Sequence, residues 1–202
     1  MSKGEPAAGR AARLALRERM AAEIPDFMIA HIDRVVAEAE PLARRHGADV
    51  ERTLLAAQGH DLLRALTDAE WLARAEARRL ALLPVERARP VLLHGPLGAL
   101  ELAERFGVDD ALVLHAIHWH TTGDPAFGPE AWAMFVADKI EPAKLARRPE
   151  LQRVIDLAEE SLEAAALAYL ELEADRSERE GFELHPHAIE TREALVAAVQ
   201  QA

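Results

Sequence analysis

Helix-favouring residues dominate this chain from one end to the other. Ala, Leu, Glu and Arg are abundant, β-branched and aromatic residues are sparse, and Pro and Gly fall mostly between segments. The pattern predicts nine helices, at about 8–22, 26–45, 49–65, 67–81, 95–105, 109–119, 129–139, 149–175 and 188–200. No repeat or linker divides the 202 residues. We therefore expect one all-α domain spanning 1–202, a helical bundle, with disorder considered for about residues 1–10.

Charge and cysteine content narrow the function. The formal net charge of −11 argues against binding a nucleic acid polymer or an anionic membrane surface. No apolar run approaches the roughly 18 residues of a membrane-spanning helix, and the N-terminal stretch does not resemble a secretory signal. We expect a cytoplasmic protein. Because the chain has no cysteine, a metal site must use histidine and carboxylate ligands.

Four ligand-type residues stand out along the predicted helices. His60 and Asp61 are adjacent near a predicted helix end, and His31 lies on a helix face that is otherwise apolar. Asp138 is flanked by apolar residues, and a buried carboxylate costs several kcal/mol unless it is paired or bound to metal. Each residue alone is a weak signal, but together they read His, His-Asp, Asp.

Three histidines lie within "LHAIHWHTTGD", residues 114–124. On a regular helix His118 and His120 would point about 200° apart, and His115 and His120 about 140° apart. The three therefore cannot face one ion from a regular helix. His46 lies beside Gly47 at a predicted helix end, where an imidazole complements exposed carbonyl groups.

The order of these residues resembles the HD-domain metal-dependent phosphohydrolases. The stretches "HIDRVVAEAEPLARRHGAD", "HGPLGALELAERFGV", "HWHTTGD" and "ADKIEP" are similar to the branch of symmetrical bis(5'-nucleosyl)-tetraphosphatases. The resemblance covers nearly the whole chain and implies a helical bundle of the HD-domain type.

The resemblance also implies a set of site residues. The first metal would be bound by His31, His60, Asp61 and Asp138. The second would be bound by His94, His120 and the bridging Asp61. Two divalent transition metal ions are implied; iron is suggested by the family, with manganese or cobalt as alternatives. We expect His115 and His118 to line the mouth of the pocket or to support the ligands. We expect His185 and His187 to be structural or to face solvent.

The implied reaction is symmetrical cleavage of diadenosine tetraphosphate to two ADP by a metal-activated water. Asp61 and Arg64 are the expected catalytic residues. The expected phosphate contacts come from Arg64, Thr121, Thr122, Gly123 and Lys139, with solvent exposure as the alternative for Lys139.

Departures from the family pattern keep other functions open. Arg64 stands where the family usually has Lys, Gly59 replaces a bulkier residue, and residues 67–90 match poorly. One alternative is an HD phosphohydrolase acting on another nucleotide, such as a nucleoside monophosphate. The other is a non-catalytic helical interaction scaffold with the histidines in its core. A homodimer is also considered.

Overall fold

The computed structural model describes residues 6–200, which form helices joined by turns and loops, with no strand among them. Short 3-10 turns occupy Pro90–Leu93 and Pro149–Leu151, and a π-helical turn occupies Leu102–Phe106. The α-helices are α1 (Pro6–Ala21), α2 (Asp26–Arg45), α3 (Val50–Gly59), α4 (Asp68–Ala77), α5 (Pro84–Ala88), α6 (His94–Glu101), α7 (Ala111–Trp119), α8 (Pro129–Ile140), α9 (Pro142–Leu145), α10 (Gln152–Ala158), α11 (Leu162–Glu180) and α12 (Pro186–Val199).

Helix α8 lies at the centre of the bundle. Every residue from Ala131 to Ile140 is buried, and the helix packs against α2, α3, α10 and α11. A helix that is apolar on all sides is a core helix. Because Asp138 and Lys139 belong to it, two charged side chains are carried into the interior.

The buried hydrophobic residues form one cluster that runs from Leu16 in α1 to Leu195 in α12. The single domain expected from the chain length would have such a continuous core. None of the helices described is long and apolar enough to cross a lipid bilayer.

Two predicted helices differ from the observed ones. The segment predicted as one helix at 149–175 is divided into α10 and α11, because Ser161 is extended (φ −147°, ψ 126°) and its side chain caps α11 by accepting from the Ala164 N–H. The helix predicted to continue to residue 65 ends at Gly59, and residues 60–66 form turns.

The remaining differences concern short elements. Sequence periodicity missed α5 and α9, which have only five and four residues. Of the residues considered for disorder, 6–10 lie in α1, and 1–5 lie outside the described residues.

Candidate metal centre

The turn that follows α3 carries His60 and Asp61 into the interior, where they are 0% and 6% exposed. Gly59, just before them, makes this approach possible. A Cβ atom at Gly59 would lie 2.8 Å from Leu102 Cδ1 and 3.0 Å from Ile117 Cδ1. The position is therefore closely packed, and the bulkier residue of the family pattern would displace the ends of the Leu102 and Ile117 side chains.

Three histidines have their rings fixed by the same local hydrogen bond. The Nδ1 atoms of His60 and His120 lie 2.8 Å and 2.7 Å from the carbonyl oxygens three residues earlier, and His94 Nδ1 contacts the carbonyl of Val91 in the same way. A carbonyl oxygen only accepts, so each Nδ1 carries the proton and each Nε2 presents a lone pair. This is the tautomer that a metal ligand needs.

The first group of ligand atoms consists of His31, His60 and Asp138. Asp138 Oδ1 lies 3.4 Å from His31 Nε2 and 3.5 Å from His60 Nε2. The second group consists of Asp61, His94 and His120. Asp61 Oδ1 lies 3.1 Å from His94 Nε2 and 3.5 Å from His120 Nε2.

Asp61 connects the two groups. Its Oδ1 faces His94 and His120, whereas its Oδ2 lies 3.3 Å from His31 Nε2 and 3.5 Å from His60 Nε2. One carboxylate thus presents one oxygen to each group, as a ligand bridging two cations would. All six residues predicted as ligands converge at this point, which we call the candidate metal centre.

The contacts within the centre fit cations between the side chains. Ligand atoms about 2.1 Å from one ion stand roughly 3.0–3.4 Å apart at octahedral or tetrahedral angles, close to the 2.9–3.5 Å between the facing atoms here. The Nε2 atoms of His31 and His60 are buried without a hydrogen-bond partner. The Nε2 atoms of His94 and His120 lie 2.9 Å apart, and two lone pairs at that distance repel unless a cation or proton lies between them.

Burial and neighbouring charges act on the pKa values in opposite directions. Burial raises the pKa of Asp61, but the imidazoles that face it, His60 first among them, hold that pKa well below its usual range. Burial also raises the pKa of Asp138, and Lys139 and Lys144 more than offset it, so this pKa too is well below normal. Both side chains are therefore carboxylates at neutral pH and remain available as anionic ligands.

The imidazoles are affected differently. Burial lowers the pKa of His120 from 6.5 to about 3, which keeps this ring neutral. Burial also lowers the pKa of His31, but the facing carboxylates of Asp138 and Asp61 outweigh it and raise that pKa to about 9. Without a metal, a proton on His31 supplies the positive charge that the carboxylates require.

The HD domain family model matches residues 28–143, more than half of the chain and all six residues of the centre. This chain belongs to the HD-domain family. Two curated relatives are each named symmetrical bis(5'-nucleosyl)-tetraphosphatase. The protein from Halalkalibacterium halodurans is 32% identical over 69% of this chain and 73% of its own length. The protein from Bacillus subtilis is 31% identical over 72% of this chain and 76% of its own length.

A solved structure agrees with this assignment. The crystal structure of a predicted HD superfamily hydrolase involved in NAD metabolism, from Clostridium acetobutylicum, matches with a TM-score of 0.84 and 25% identity, covering 91% of this chain and 96% of that one. The predicted all-α bundle of the HD-domain type is thus confirmed. The HD-domain chain is a metal-dependent hydrolase, and the non-catalytic scaffold is not favoured.

A residue that the sequence reasoning missed supports His31. Glu141, the acid of the "ADKIEP" stretch, is fully buried, and its Oε1 lies 3.5 Å from His31 Nδ1. Its Oε2 accepts hydrogen bonds from Arg34 Nε at 2.6 Å and from the Ala143 N–H at 3.0 Å. The glutamate therefore lies beside His31 Nδ1 with a buried oxygen that has no hydrogen-bond partner, and its place in the HD-domain motif was the signal that could have revealed it.

Two lysines surround Asp138. Lys139 is buried and does not point to solvent. Its Nζ donates to Asp138 Oδ2 at 2.7 Å and to the carbonyl of His120 at 3.0 Å, so it links α8 to the end of α7. Lys144 donates to Asp138 Oδ1 and was not predicted from the sequence.

The candidate metal centre borders a cavity of about 220 Å³. Arg64, Arg89 and Arg192 line this cavity together with Lys139 and Lys144. Among the described residues, no carboxylate oxygen lies within 4.0 Å of any of these three guanidinium groups. A chain with a formal net charge of −11 thus directs unpaired cations into one cavity, which favours a polyanionic ligand.

The turn formed by Thr121, Thr122 and Gly123, predicted to bind phosphate, only partly faces the cavity. Thr121 and Thr122 line the cavity, but Gly123 does not. The Thr122 and Gly123 N–H groups donate to the carbonyl of Trp119 at 3.0 Å and 2.7 Å, and the Thr122 hydroxyl donates to the carbonyl of Gly123 at 2.9 Å. These donors are used to build the turn, which leaves Thr121 as the member best placed to meet a ligand.

The other histidines lie outside the centre. His115 and His118 do not line the cavity. His187 stacks on Trp119 with ring centroids 3.8 Å apart, and its Nε2 lies 2.8 Å from Asp124 Oδ2, which fastens α12 to the loop after α7. His46 Nε2 contacts the carbonyl of Ala158 at 2.8 Å.

Proposed function

We propose that this HD-domain enzyme hydrolyses dinucleoside tetraphosphates symmetrically, with diadenosine tetraphosphate cleaved to two ADP. The observation that carries the proposal is the sharing of Asp61 by two ligand groups at the border of a cavity lined by unpaired arginines. The names of the two bacterial relatives support the substrate class.

The proposed ligands are His31, His60 and Asp138 for one ion and His94 and His120 for the other, with Asp61 shared. Four imidazoles and two carboxylates suit iron, manganese or cobalt better than magnesium, which prefers oxygen ligands, and we propose iron first. When bound, such ions lower the pKa of a water molecule and offset the charge of the phosphates.

The protein side chains have separate tasks in this proposal. Arg64 is exposed at the cavity, where its guanidinium can bind a phosphate through two N–H groups and offset its charge. Thr121 offers a hydroxyl group beside His120. Lys139 neutralises Asp138 and fixes the end of α7, so its contribution is mainly to hold two proposed ligands in place.

The formal net charge of −11 supports a small nucleotide rather than a nucleic acid polymer as partner, and Arg64, Arg89 and Arg192 in the cavity supply local positive charge for it. We retain the cytoplasmic location as part of this proposal, since dinucleoside polyphosphates are soluble metabolites. Sedimentation of the purified chain tests the homodimer considered from the sequence.

Product analysis tests the proposed function. Anaerobically prepared protein, loaded with iron or manganese, is incubated with diadenosine tetraphosphate, diadenosine triphosphate and AMP, and the products are separated by chromatography. We expect ADP as the sole nucleotide product from the tetraphosphate. AMP plus ATP would show asymmetric cleavage and contradict the proposal, and adenosine from AMP alone would establish the nucleoside monophosphate alternative.

A further inference from the structure

The lining of the cavity includes apolar residues from the C-terminal part of the chain. Leu170, Phe182, Leu184 and Ala188 line the cavity from α11, α12 and the segment between them. These four residues lie beyond residue 143, where the HD domain match ends. The C-terminal helices therefore contribute a second kind of surface to the cavity, apolar instead of cationic.

A guanidinium group lies against an aromatic ring in this part of the lining. Arg89 Cζ is 4.1 Å from the centroid of the Phe182 ring, and Arg89 Nη1 donates to the carbonyl of Glu183 at 3.5 Å. Gly181 has φ +71°, a left-handed conformation that ends α11 and turns the chain toward Phe182. Arg89 comes just before the 3-10 turn that leads to His94, so the pair connects the candidate metal centre to the C-terminal helices.

Arg89 and Phe182 together form a surface suited to a flat ring. Neither side chain is fully buried, and Arg89 has no carboxylate partner among the described residues. Nucleobases stack on aromatic rings and on guanidinium planes. Arg176 Cζ also lies 5.6 Å from the Phe182 ring centroid, and Arg89 and Phe182 both line the cavity.

We infer that the Arg89–Phe182 pair binds the base of one nucleoside in the substrate, while the attached phosphates extend toward Asp61. The inference rests on the proposed function for the identity of the substrate. The cavity of about 220 Å³ is smaller than the 300–1,000 Å³ typical of small-molecule sites. It therefore encloses one nucleoside end of a dinucleoside polyphosphate and leaves the other end outside.

Equilibrium binding separates base recognition from phosphate recognition. Full-length, metal-loaded protein is titrated by calorimetry with ADP and, separately, with inorganic pyrophosphate, which has no base. The variants are Phe182→Leu, which keeps an apolar side chain without a ring, Phe182→Tyr, which keeps the ring, and Arg89→Lys, which keeps the charge without the planar group. Phe27→Ala and Arg87→Lys are matched controls, because both residues are exposed and do not line the cavity.

We expect Phe182→Leu and Arg89→Lys to weaken ADP binding about tenfold and to change pyrophosphate binding less than about twofold. Phe182→Tyr and both controls should bind ADP like the wild type. Equal weakening of ADP and pyrophosphate, no weakening of ADP, or identical behaviour of Phe182→Leu and Phe182→Tyr would each overturn the inference.

The hydrolysis assay and the binding titrations together separate a failure of the proposed function from a failure of the base site. If wild-type protein does not release ADP from diadenosine tetraphosphate, but the variants separate ADP from pyrophosphate as expected, the base site stands and the substrate is another nucleotide. If the tetraphosphate is cleaved to ADP and the variants do not separate the two probes, the hydrolase proposal stands and the base site is wrong.

Discussion

Glu141 Oε1 lies 3.5 Å from His31 Nδ1, on the side of the ring opposite to the ligand groups. Burial raises the pKa of Glu141, but hydrogen bonds from Arg34 and the Ala143 N–H lower it below its usual value. Glu141 Oε1 faces the imidazole without a hydrogen-bond partner of its own, and we expect this anionic oxygen to orient the ring of a metal-bound His31, as outer carboxylates do for other metal-bound histidines.

The first prediction follows from this pair. Glu141→Gln keeps the shape of the side chain and removes its charge, so we expect metal affinity to fall by about 10–100-fold. Competition with a chromogenic chelator measures this change. Glu40→Gln, at an exposed acid on the same helix as His31, is the control and should leave the affinity unchanged. Equal affinity in both variants would show that Glu141 has no role in metal binding.

Asp61 is the residue whose loss should be most damaging. We expect Asp61→Asn and His120→Ala to lower hydrolysis by about three orders of magnitude or more, because each removes a ligand from the shared centre. Circular dichroism should show a nearly unchanged helical fold, and elemental analysis should show less metal per chain. Asp156→Asn, at an exposed carboxylate in α10, serves as control. Wild-type turnover in Asp61→Asn with full metal content would refute the assignment.

Helical periodicity and motif order were enough to predict the class of fold and the residues that meet at the centre. The first signal is local, since α8 is apolar on all faces. The second is the family resemblance, since the stretches around His31, His94, His120 and Asp138 match the order of the HD-domain motifs. Helical geometry indicated only that His115, His118 and His120 could not face one ion together, and the family resemblance selected His120. Neither His115 nor His118 lines the cavity, so the expected place at the pocket mouth is not seen.

The features that sequence reasoning missed depend either on one local contact that outweighs helix propensity or on contacts between residues far apart in the sequence. Ser161 divides a segment of high helix propensity because one side-chain cap favours a new helix start. Arg89 and Phe182 are 93 positions apart in the sequence, and nothing local to either residue indicates that they share a cavity wall. Arg192 and Lys144 were missed for the same reason.

Gly95 provides a test of how closely α6 and α7 must approach. A Cβ atom there would lie 2.7 Å from the His118 carbonyl oxygen, 3.0 Å from that of Ile117 and 3.2 Å from His120 Nδ1. Backbone atoms cannot move cheaply, so we expect Gly95→Ala to destabilise the protein by about 1–3 kcal/mol and to reduce metal content.

Gly98→Ala is the matched control for Gly95→Ala. It lies in the same helix, and a Cβ atom there would meet no other atom within 4 Å. This variant should be neutral or more stable by up to about 1 kcal/mol, since alanine favours helices over glycine. Urea unfolding and elemental analysis measure both variants. Identical results for Gly95→Ala and Gly98→Ala would disprove the steric argument.

Arg64 tests whether this chain needs the planar group or only the charge. We expect Arg64→Ala to lower kcat/KM by about 10–100-fold and Arg64→Lys to recover part of that loss, because lysine keeps the charge without the two-pronged geometry. Steady-state kinetics on the tetraphosphate measures the effect, and Arg87→Ala controls for net charge. Full recovery in Arg64→Lys would mean that geometry is unimportant at this position.

Asp110 supports the helix that ends at His120, and its contribution should depend on pH. Its side chain accepts hydrogen bonds from the Leu112 and Val113 N–H groups at 2.9 Å and 3.2 Å and pairs with Arg52 Nε at 2.7 Å. Burial raises the pKa of Asp110, but these three donors lower it below the ordinary 3.8.

The sign of the pH dependence follows from the lowered pKa. A carboxyl group with a lower pKa in the folded state stabilises the protein fully above its unfolded pKa, and this stabilisation is lost as the pH falls through the folded pKa.

We expect Asp110→Ala to lower the free energy of unfolding by about 1–2 kcal/mol at pH 7 and pH 5, with a smaller loss at pH 3. Asp109→Ala, at the exposed neighbouring acid, is the control, because acid-induced metal loss affects both variants alike. Urea unfolding at the three pH values gives the difference between the two variants, and a difference that stays constant from pH 7 to pH 3 would show that the ionised form of Asp110 does not stabilise α7.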